Sequence, residues 1–347
     1  MFYVEERIQR WIENGDENTV LDLSDFTKIE ELPELPPNLR KLNCSSCINL
    51  KELPELPPNL QILDCSFCYH LKELPELPQS LLKLDCIYCY ELTELPKIPP
   101  KLQKLNCSNC VSLKEISELP KSLKYLDCSR CYNLVRLYNL PQNLLTLICF
   151  DCFILKKLPE LPESLQELNC YSCYKITELL KLPTMLKIFE YSNSFNIQEF
   201  PPYLIDIRCH GHLIETIPKL PTNLQIFNCF GCIKLEKLPE LPLSLKELRC
   251  INCNIEELPE LPPSLIKLHC SYCQYITKLP LLPLSLENLE CDTCFKLSEL
   301  PDLHISLRVL QCRNSPVKSL PELPIYLKYL VYSNIYSLPT ILPTNIR

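Results

Sequence analysis

Apolar positions recur along the chain with a period of 21 residues. The unit at 32–52 reads LPELPPNLRKLNCSSCINLKE, and the unit at 53–73 reads LPELPPNLQILDCSFCYHLKE. About fifteen such units follow one another, with irregular spacing at 200–216 and after 320. A period held over most of a chain is typical of a solenoid, in which each repeat buries its apolar side only against its neighbours.

Each unit divides into two parts. Prolines such as Pro33 and Pro36 cluster at the front, and because they lack a backbone N–H this part is predicted to be extended and polyproline-like. The part Leu39-x-x-Leu42-x-Cys44 alternates apolar and variable residues, which predicts a strand with Leu42 and Cys44 pointing inward. Stacked units are expected to pair these strands in parallel, on the concave face of the solenoid, with the proline segments on the convex side.

The first residues differ from the repeats. The run MFYVEERIQRWIENGDEN predicts a helix over 2–14, followed by a first strand near 20–24. We therefore expect an N-terminal helical cap over 1–19 and a solenoid over 20–347. The run has no apolar core of the signal-peptide kind, and no stretch has the length needed to span a bilayer. We expect a cytoplasmic protein that does not bind membranes.

The net charge of −7 is placed unevenly. Residues 1–31 hold nine acidic and three basic residues, so the remaining body is nearly neutral. A nucleic-acid partner needs a basic surface to neutralise phosphates, and this body offers none. The charge pattern therefore predicts a partner other than nucleic acid.

The pattern Leu39-x-x-Leu42-x-Cys44-x-x-Cys47-x-x-Leu50 resembles the conserved half of leucine-rich repeats. The flanking Leu-Pro-x-Leu-Pro is similar to the short repeats of bacterial effector proteins that are injected into host cells, and the residue bias resembles repeat proteins encoded by giant DNA viruses of amoebae. The resemblance implies a leucine-rich repeat solenoid that binds a protein partner on its concave face, in the host cytoplasm if the protein is viral or injected.

The resemblance also implies an alternative, the substrate-recognition part of a ubiquitin ligase assembly. The effector ligases carry a catalytic domain after their repeats, whereas here the repeats run to Arg347. F-box adaptors carry a helical box before their repeats, and only about 20 residues precede the first strand here. We expect neither of these additional domains.

The 24 cysteines include eleven Cys-x-x-Cys pairs, from Cys44/Cys47 to Cys291/Cys294. Out of context, two neighbouring pairs would indicate a zinc site. Within the repeat, the first cysteine takes an inward strand position and the second takes the position where the strand turns, so we interpret both as core thiols. We expect no metal and no cofactor. A zinc- or redox-active protein that uses the cysteine pairs is the alternative.

Counting Leu39 as position 1 of the repeat, the position-5 side chains are expected to face solvent on the concave face, with aromatic residues at positions 7 and 8. Charged and aromatic residues there favour contact with a protein, although charged strand residues are also common on solvated faces. The candidate partner-binding residues are Asp64, Phe67, Asp85, Tyr88, Asp127, Phe150, Tyr171, Arg208, Arg249, His269 and Tyr272.

A second aromatic row follows the second cysteine of each pair, and we interpret it as a packed ladder along one flank. Its members are Tyr69, Tyr90, Tyr132, Phe153, Tyr174, Phe195 and Phe295. His210 and His212 form a local cluster in the shortened unit at 200–216 that we interpret as an irregularity of the repeat, because no general base with an orienting partner is evident. We expect no enzymatic activity. A strand at Leu327–Tyr332, covered only by 338–347, makes end-to-end self-association a hypothesis.

Overall fold

A computed structural model of the chain describes residues 2–177, 181–192 and 197–333. The chain forms two compact units, which are described separately. The amino-terminal unit comprises Met1–Pro183 and the carboxy-terminal unit comprises Thr184–Arg347. The hypothesis of end-to-end self-association depends on 338–347 and therefore falls outside the described residues.

The chain opens with one helix, α1, which spans Phe2–Asn14 as the sequence predicts. Val4, Ile8 and Trp11 are buried, so one apolar stripe of the helix packs against the first repeat. The Trp11 indole N–H donates to the carbonyl oxygen of Thr19 at 3.3 Å. Gly15, with a φ of 68°, follows the last helical residue in the left-handed conformation that ends many helices.

Short parallel strands follow the helix in the amino-terminal unit. The strands are β1 (Leu21–Asp22), β2 (Lys41–Asn43), β3 (Ile62–Asp64), β4 (Lys83–Asp85), β5 (Lys104–Asn106), β6 (Glu115–Ile116), β7 (Tyr125–Asp127), β8 (Arg136–Leu137), β9 (Thr146–Ile148) and β10 (Glu167–Asn169). Strands β1 to β5, β7, β9 and β10 pair in that order, and β6 pairs separately with β8.

The carboxy-terminal unit repeats this architecture. Each of its strands pairs in parallel with the next along the chain. The strands are β11 (Ile188–Ser192), β12 (Asp206–His210), β13 (Ile226–Phe230), β14 (Glu247–Arg249), β15 (Lys267–His269), β16 (Asn288–Glu290), β17 (Val309–Cys312) and β18 (Tyr329–Tyr332). The register aligns equivalent positions of successive repeats, so each repeat position forms a row across the sheet.

The core of each repeat is built from the predicted inward positions. Leu39, Leu42, Cys44, Cys47 and Leu50 are all fully buried, and their equivalents in other repeats are buried in the same way. The described prolines themselves lie in neither helix nor strand, as expected for residues without a backbone N–H, although β6 and β8 each end on the residue that opens a proline segment. Parallel strands on one side and extended segments on the other therefore confirm the fold class.

A left-handed turn follows every described strand with the full repeat pattern, at position 8. The φ values of the non-glycine residues there lie between 55° and 64°. This conformation lets the position-8 N–H donate to the next repeat, as Tyr88 does to the carbonyl oxygen of Ser108 at 2.9 Å. The position-8 residues with positive φ are Asp25, Ser46, Phe67, Tyr88, Asn109, Arg130, Asp151, Ser172, Gly211, Gly231, Asn252, Tyr272, Thr293 and Asn314.

Candidate partner-binding surface

The position-5 row lies on the exposed face of the strands, called the strand face below. Asp64 and Asp127 are half-buried in this row, and each uses a carboxylate oxygen to accept the backbone N–H two residues later, at 3.0 Å. Asp127 also accepts the hydroxyl of Ser129 at 2.7 Å. These local bonds fix the chain where it leaves the strand, so part of the predicted acidic row supports the turn.

Asp85 is the most buried of the candidate acidic residues, with a side chain that is 7% exposed. The ammonium of Lys83 lies 2.6 Å from one carboxylate oxygen, and that of Lys104 lies 3.8 Å from the other. Lys104 also lies 5.0 Å from the ring centroid of Tyr125 on the next strand. The charge at Asp85 is therefore balanced within the strand face before any partner arrives.

The basic candidates of the carboxy-terminal unit are also paired. Both carboxylate oxygens of Asp206 accept hydrogen bonds from the guanidinium of Arg208, at 3.1 and 2.8 Å. The Nε of Arg249 donates to one carboxylate oxygen of Glu247, which also lies two residues earlier on its own strand. Side chains two residues apart share one face of a strand, which explains the pairing. The predicted basic section is thus a row of compensated charges.

His269 is the third candidate in this section. Its Nδ1 lies 3.4 Å from a carboxylate oxygen of Glu290 on the neighbouring strand. Burial lowers the pKa of His269 below its ordinary value, and the nearby Glu290 carboxylate only partly opposes this effect. The ring therefore sits on the strand face as a neutral imidazole near neutral pH.

Four aromatic rings from two neighbouring repeats meet at the carboxyl end of β3 and β4. Phe67 stacks on Tyr88 at a centroid distance of 4.9 Å, and Tyr69 stacks on Tyr90 at 5.1 Å. Tyr88 and Tyr90 contact edge to face at 5.8 Å, which joins the two stacks. Phe67 and Tyr90 are each 38% exposed. We call these four residues the aromatic cluster. The cluster brings the candidates Phe67 and Tyr88 together with Tyr69 and Tyr90, which the sequence analysis predicted to lie along a separate flank.

Further along the same edge, the other aromatic candidates are less available. The guanidinium of Arg130 lies 5.3 Å from the ring centroid of Phe150, which is half-buried, and Tyr171 is also half-buried. Tyr132, Phe153 and Tyr174 form the predicted flank ladder, with successive centroid distances of 5.1 and 5.9 Å.

In the carboxy-terminal unit, Tyr272 is an exposed candidate at position 8 of its repeat. Phe230 is exposed at position 7, and its ring lies 6.3 Å from that of His210. The His210 Nε2 lies 3.2 Å from a carboxylate oxygen of Glu190. Phe295 of the flank row is exposed, and Phe195 lies outside the described residues.

The left-handed backbone of Phe67, Tyr88 and Tyr272 is the feature that the sequence argument missed. A residue with a Cβ pays roughly 1–2 kcal/mol for this conformation, and asparagine, aspartate and glycine tolerate it best. Those residue types do recur at position 8, as at Asn109, Asp151 and Gly231, and this recurrence was the signal that could have revealed the turn. Aromatic residues at this position are held there against a local preference.

The described cysteines are all buried and none forms a disulfide. The second cysteine of a pair donates its thiol hydrogen to the backbone carbonyl of the first cysteine in the preceding repeat, as Cys89 does to Cys65 at 3.3 Å. Where serine replaces the second cysteine, the hydroxyl of Ser315 makes the same bond to the carbonyl of Cys291 at 2.8 Å. The second cysteine is therefore a buried hydrogen-bond donor.

Cys47 and Cys312 are poorly suited to metal or redox chemistry. Burial raises the pKa of Cys47 to about 12, and burial together with the charge of Asp292 raises that of Cys312 to about 12. A metal ligand or nucleophile must be a thiolate, which these two sites disfavour. At Cys173, by contrast, hydrogen bonds with the side chains of Cys149 and Cys152 lower the pKa to about 4. Among the described residues, no group of three or more histidine, cysteine, aspartate or glutamate side chains is arranged to hold a metal ion.

No family model matches the sequence, and no curated protein matches it. Solved structures do match. YopM from Yersinia pestis, a leucine-rich effector protein, is 29% identical, with a TM-score of 0.72 over 98% of this chain and 90% of that chain. YopM from Yersinia enterocolitica is 28% identical, with a TM-score of 0.67 over 98% of this chain and 83% of that chain. The circular leucine-rich repeat protein CroV588 is 18% identical, with a TM-score of 0.42 over 91% of this chain and 60% of that chain.

Within the described part of the chain, no helix has the length and apolar character needed to cross a membrane. The fold of parallel strands that follow one helix is similar to that of the two YopM structures over almost the whole chain. The chain therefore has the leucine-rich repeat fold and is similar in structure to YopM.

Proposed function

We propose that this protein is a non-enzymatic binding scaffold that recognises a protein partner through the aromatic cluster Phe67, Tyr69, Tyr88 and Tyr90 and the adjoining strand face. The single observation that carries the proposal is the combination of ring stacking, partial exposure and backbone conformation at Phe67 and Tyr88. Their rings are stacked and partly exposed although each backbone is in the left-handed conformation. Conformational cost retained at an exposed position is a reason to look for function there.

The cluster has the physical properties of an interaction hot spot. Tyrosine and phenylalanine offer a large contact area with few rotatable bonds, so little side-chain entropy is lost on binding. Stacking on a neighbour orders the rings before the partner arrives, which reduces the cost of binding further. By contrast, Arg208 and Arg249 are paired with acidic neighbours, so a partner would have to compete with existing ion pairs.

The chemistry of the partner follows from the surroundings of the cluster. The half-buried carboxylate of Asp64 lies on the strand face next to the rings, and the exposed pair His70 and Glu91, 2.6 Å apart, lies beyond them. We infer a partner that presents an apolar or aromatic side chain flanked by polar groups. The resemblance to an effector protein supports a partner of a host cell and a place in its cytoplasm.

Affinity capture followed by mass spectrometry tests the proposal. Wild-type protein and the double variant Phe67→Ala/Tyr88→Ala serve as baits, and Tyr138→Ala, an exposed tyrosine in a proline segment, serves as the matched control. The proposal expects a protein that is captured by wild type and control and lost from the double variant. Equal recovery of every captured protein by all three baits would refute the assigned surface.

A further inference from the structure

A second exposed surface lies in the carboxy-terminal unit. Five consecutive repeats carry an apolar residue in the turn that precedes the strand, two residues before position 1. Each of these apolar residues lies four residues before the first residue of β14 to β18. Because the register pairs the first residues of neighbouring strands, the apolar residues form one row. The members of this apolar row are Leu243, Pro263, Leu284, Ile305 and Ile325.

The exposure of this row is unusually high. Leu243 and Leu284 are each 76% exposed, and Ile305 and Ile325 are 62% and 65% exposed. The adjoining Leu281 is 87% exposed. The fold does not require leucine or isoleucine at this position, because the amino-terminal unit has either proline there or the polar residues Gln79, Lys121, Gln142 and Glu163. The four leucine and isoleucine residues of the row are therefore a property of these five repeats and not of the repeat in general.

Serine hydroxyls hold the row in place. Four of the five row members are followed by a serine that donates its hydroxyl to the backbone of the preceding repeat, whereas Ile325 is followed by Tyr326. Ser264 donates to the carbonyl oxygen of Leu245 at 2.7 Å, and Ser285 donates to that of Pro263 at 2.7 Å. These bonds tie successive turns together, so the row is a rigid and pre-ordered surface whose contact with a partner costs little backbone entropy.

We propose that two copies of this chain pair side by side through the apolar row. Together with Leu281 and Tyr326, the row exposes an apolar area on the order of 700 Å², which exceeds the few hundred Å² usual on a monomer. A standard stable interface buries about 800 Å² on each partner. The row and its charged flanks therefore provide the area that a dimer of moderate affinity needs.

The charges on either side of the row indicate how the copies are oriented. Three residues before the row members lie the exposed acidic residues Glu240, Glu260, Asp302 and Glu322. Among the described residues, none of these four carboxylates takes part in an ion pair. Three residues after the row members lie Lys246, Ile266, Glu287, Arg308 and Lys328, a flank with three basic residues and one acidic residue.

A two-fold axis that runs along the row exchanges the two flanks and keeps each repeat opposite the same repeat of the second copy. Glu240 then faces Lys246, and Glu322 faces Lys328, while no like charges meet. An axis across the row would place the acidic flank against itself, which is unfavourable. The structure therefore favours the axis along the row.

Sedimentation equilibrium of the purified full chain tests the proposal, over the range of about 1 to 100 µM in which an interface of this size associates. Wild-type protein is expected to shift from monomer to dimer as its concentration rises. Leu284→Glu is expected to weaken the dimer at least about tenfold, because it places a charge at the centre of the row. The control Ile233→Glu, at an exposed apolar residue after the strand, should behave like wild type.

A charge exchange then tests the orientation. Glu322→Lys alone and Lys328→Glu alone should each weaken the dimer, and the double variant should recover wild-type association because the pair is restored with its signs reversed. A wild-type protein that stays monomeric throughout the range would overturn the proposal. A dimer whose affinity Leu284→Glu leaves unchanged would also overturn it, because that result would indicate another contact, such as end-to-end pairing through a terminal strand. A double variant that dimerises no more strongly than the single variants would refute the proposed axis.

Discussion

The role of the second cysteine as a hydrogen-bond donor can be tested at Cys89. Its thiol lies 3.3 Å from the carbonyl oxygen of Cys65, and the side chain is fully buried. Cys89→Ala leaves this carbonyl without its donor, which costs about 1–3 kcal/mol, and removes a buried sulfur atom, which adds roughly 1 kcal/mol for the cavity. Cys89→Ser keeps a donor and should cost no more than about 1 kcal/mol.

Equilibrium unfolding in urea, followed by circular dichroism, measures these differences as shifts of the midpoint at an unchanged slope. Cys86, the first cysteine of the same pair, is the matched control. The carbonyl nearest its thiol, that of Asn106, already accepts the backbone N–H of Cys86 at 2.9 Å. Alanine and serine should therefore cost about the same at Cys86.

The reasoning would be refuted if alanine and serine were equally costly at Cys89, or if the difference between them were as large at Cys86. Either result would mean that the second thiol fills space without satisfying the carbonyl. A large loss with serine at Cys89 would instead revive a specific need for sulfur, as in the zinc or redox alternative.

Three further predictions follow from single sites. Thr293 is a β-branched residue with a φ of 58°, so Thr293→Asn should raise the free energy of unfolding by about 1 kcal/mol, and no gain in a urea titration would contradict the assigned strain. Because burial lowers the pKa of His269, the unfolded chain binds a proton at this residue at a higher pH than the folded chain does. The free energy of unfolding should therefore fall as the pH drops below 6.5, and it should fall less steeply for His269→Gln. Since burial raises the pKa of Cys47 and Cys312 to about 12, iodoacetamide should alkylate these two thiols slowly in the native protein at pH 8 and rapidly in urea, as judged by mass spectrometry.

Much of the fold could be predicted because each position of the repeat occurs in many units. Leucine at positions 1 and 4 and cysteine at position 6 recur every 21 residues, and stacking of the units buries all of these residues together. The helix over Phe2–Asn14 was predictable for the same reason, since its apolar residues follow the spacing of a helix.

The candidate surface was less predictable because it depends on the conformations of the side chains and on the positions of their charged groups and rings. Arg208 lies two residues after Asp206, and only the folded structure reveals that its guanidinium turns back onto that carboxylate. Tyr69 and Tyr90 belong to another row of the sequence, yet the left-handed turn at Phe67 and Tyr88 brings the four rings together.

The apolar row shows the same limit. Leu284 and Ile305 occupy positions where other repeats have proline or polar residues, so the substitution is visible in the sequence. The exposure of these residues is not visible in the sequence, because leucine is usually buried and only the structure places this turn in solvent.

The most direct test of the account is the affinity of a captured partner for purified wild-type protein, for Phe67→Ala/Tyr88→Ala and for the control Tyr138→Ala, each measured by isothermal titration calorimetry. The account predicts that the double variant binds at least about tenfold more weakly, because it removes two stacked rings from the centre of the contact, and that the control binds like wild type. Equal affinities for all three proteins would contradict the claim that the aromatic cluster is the binding surface.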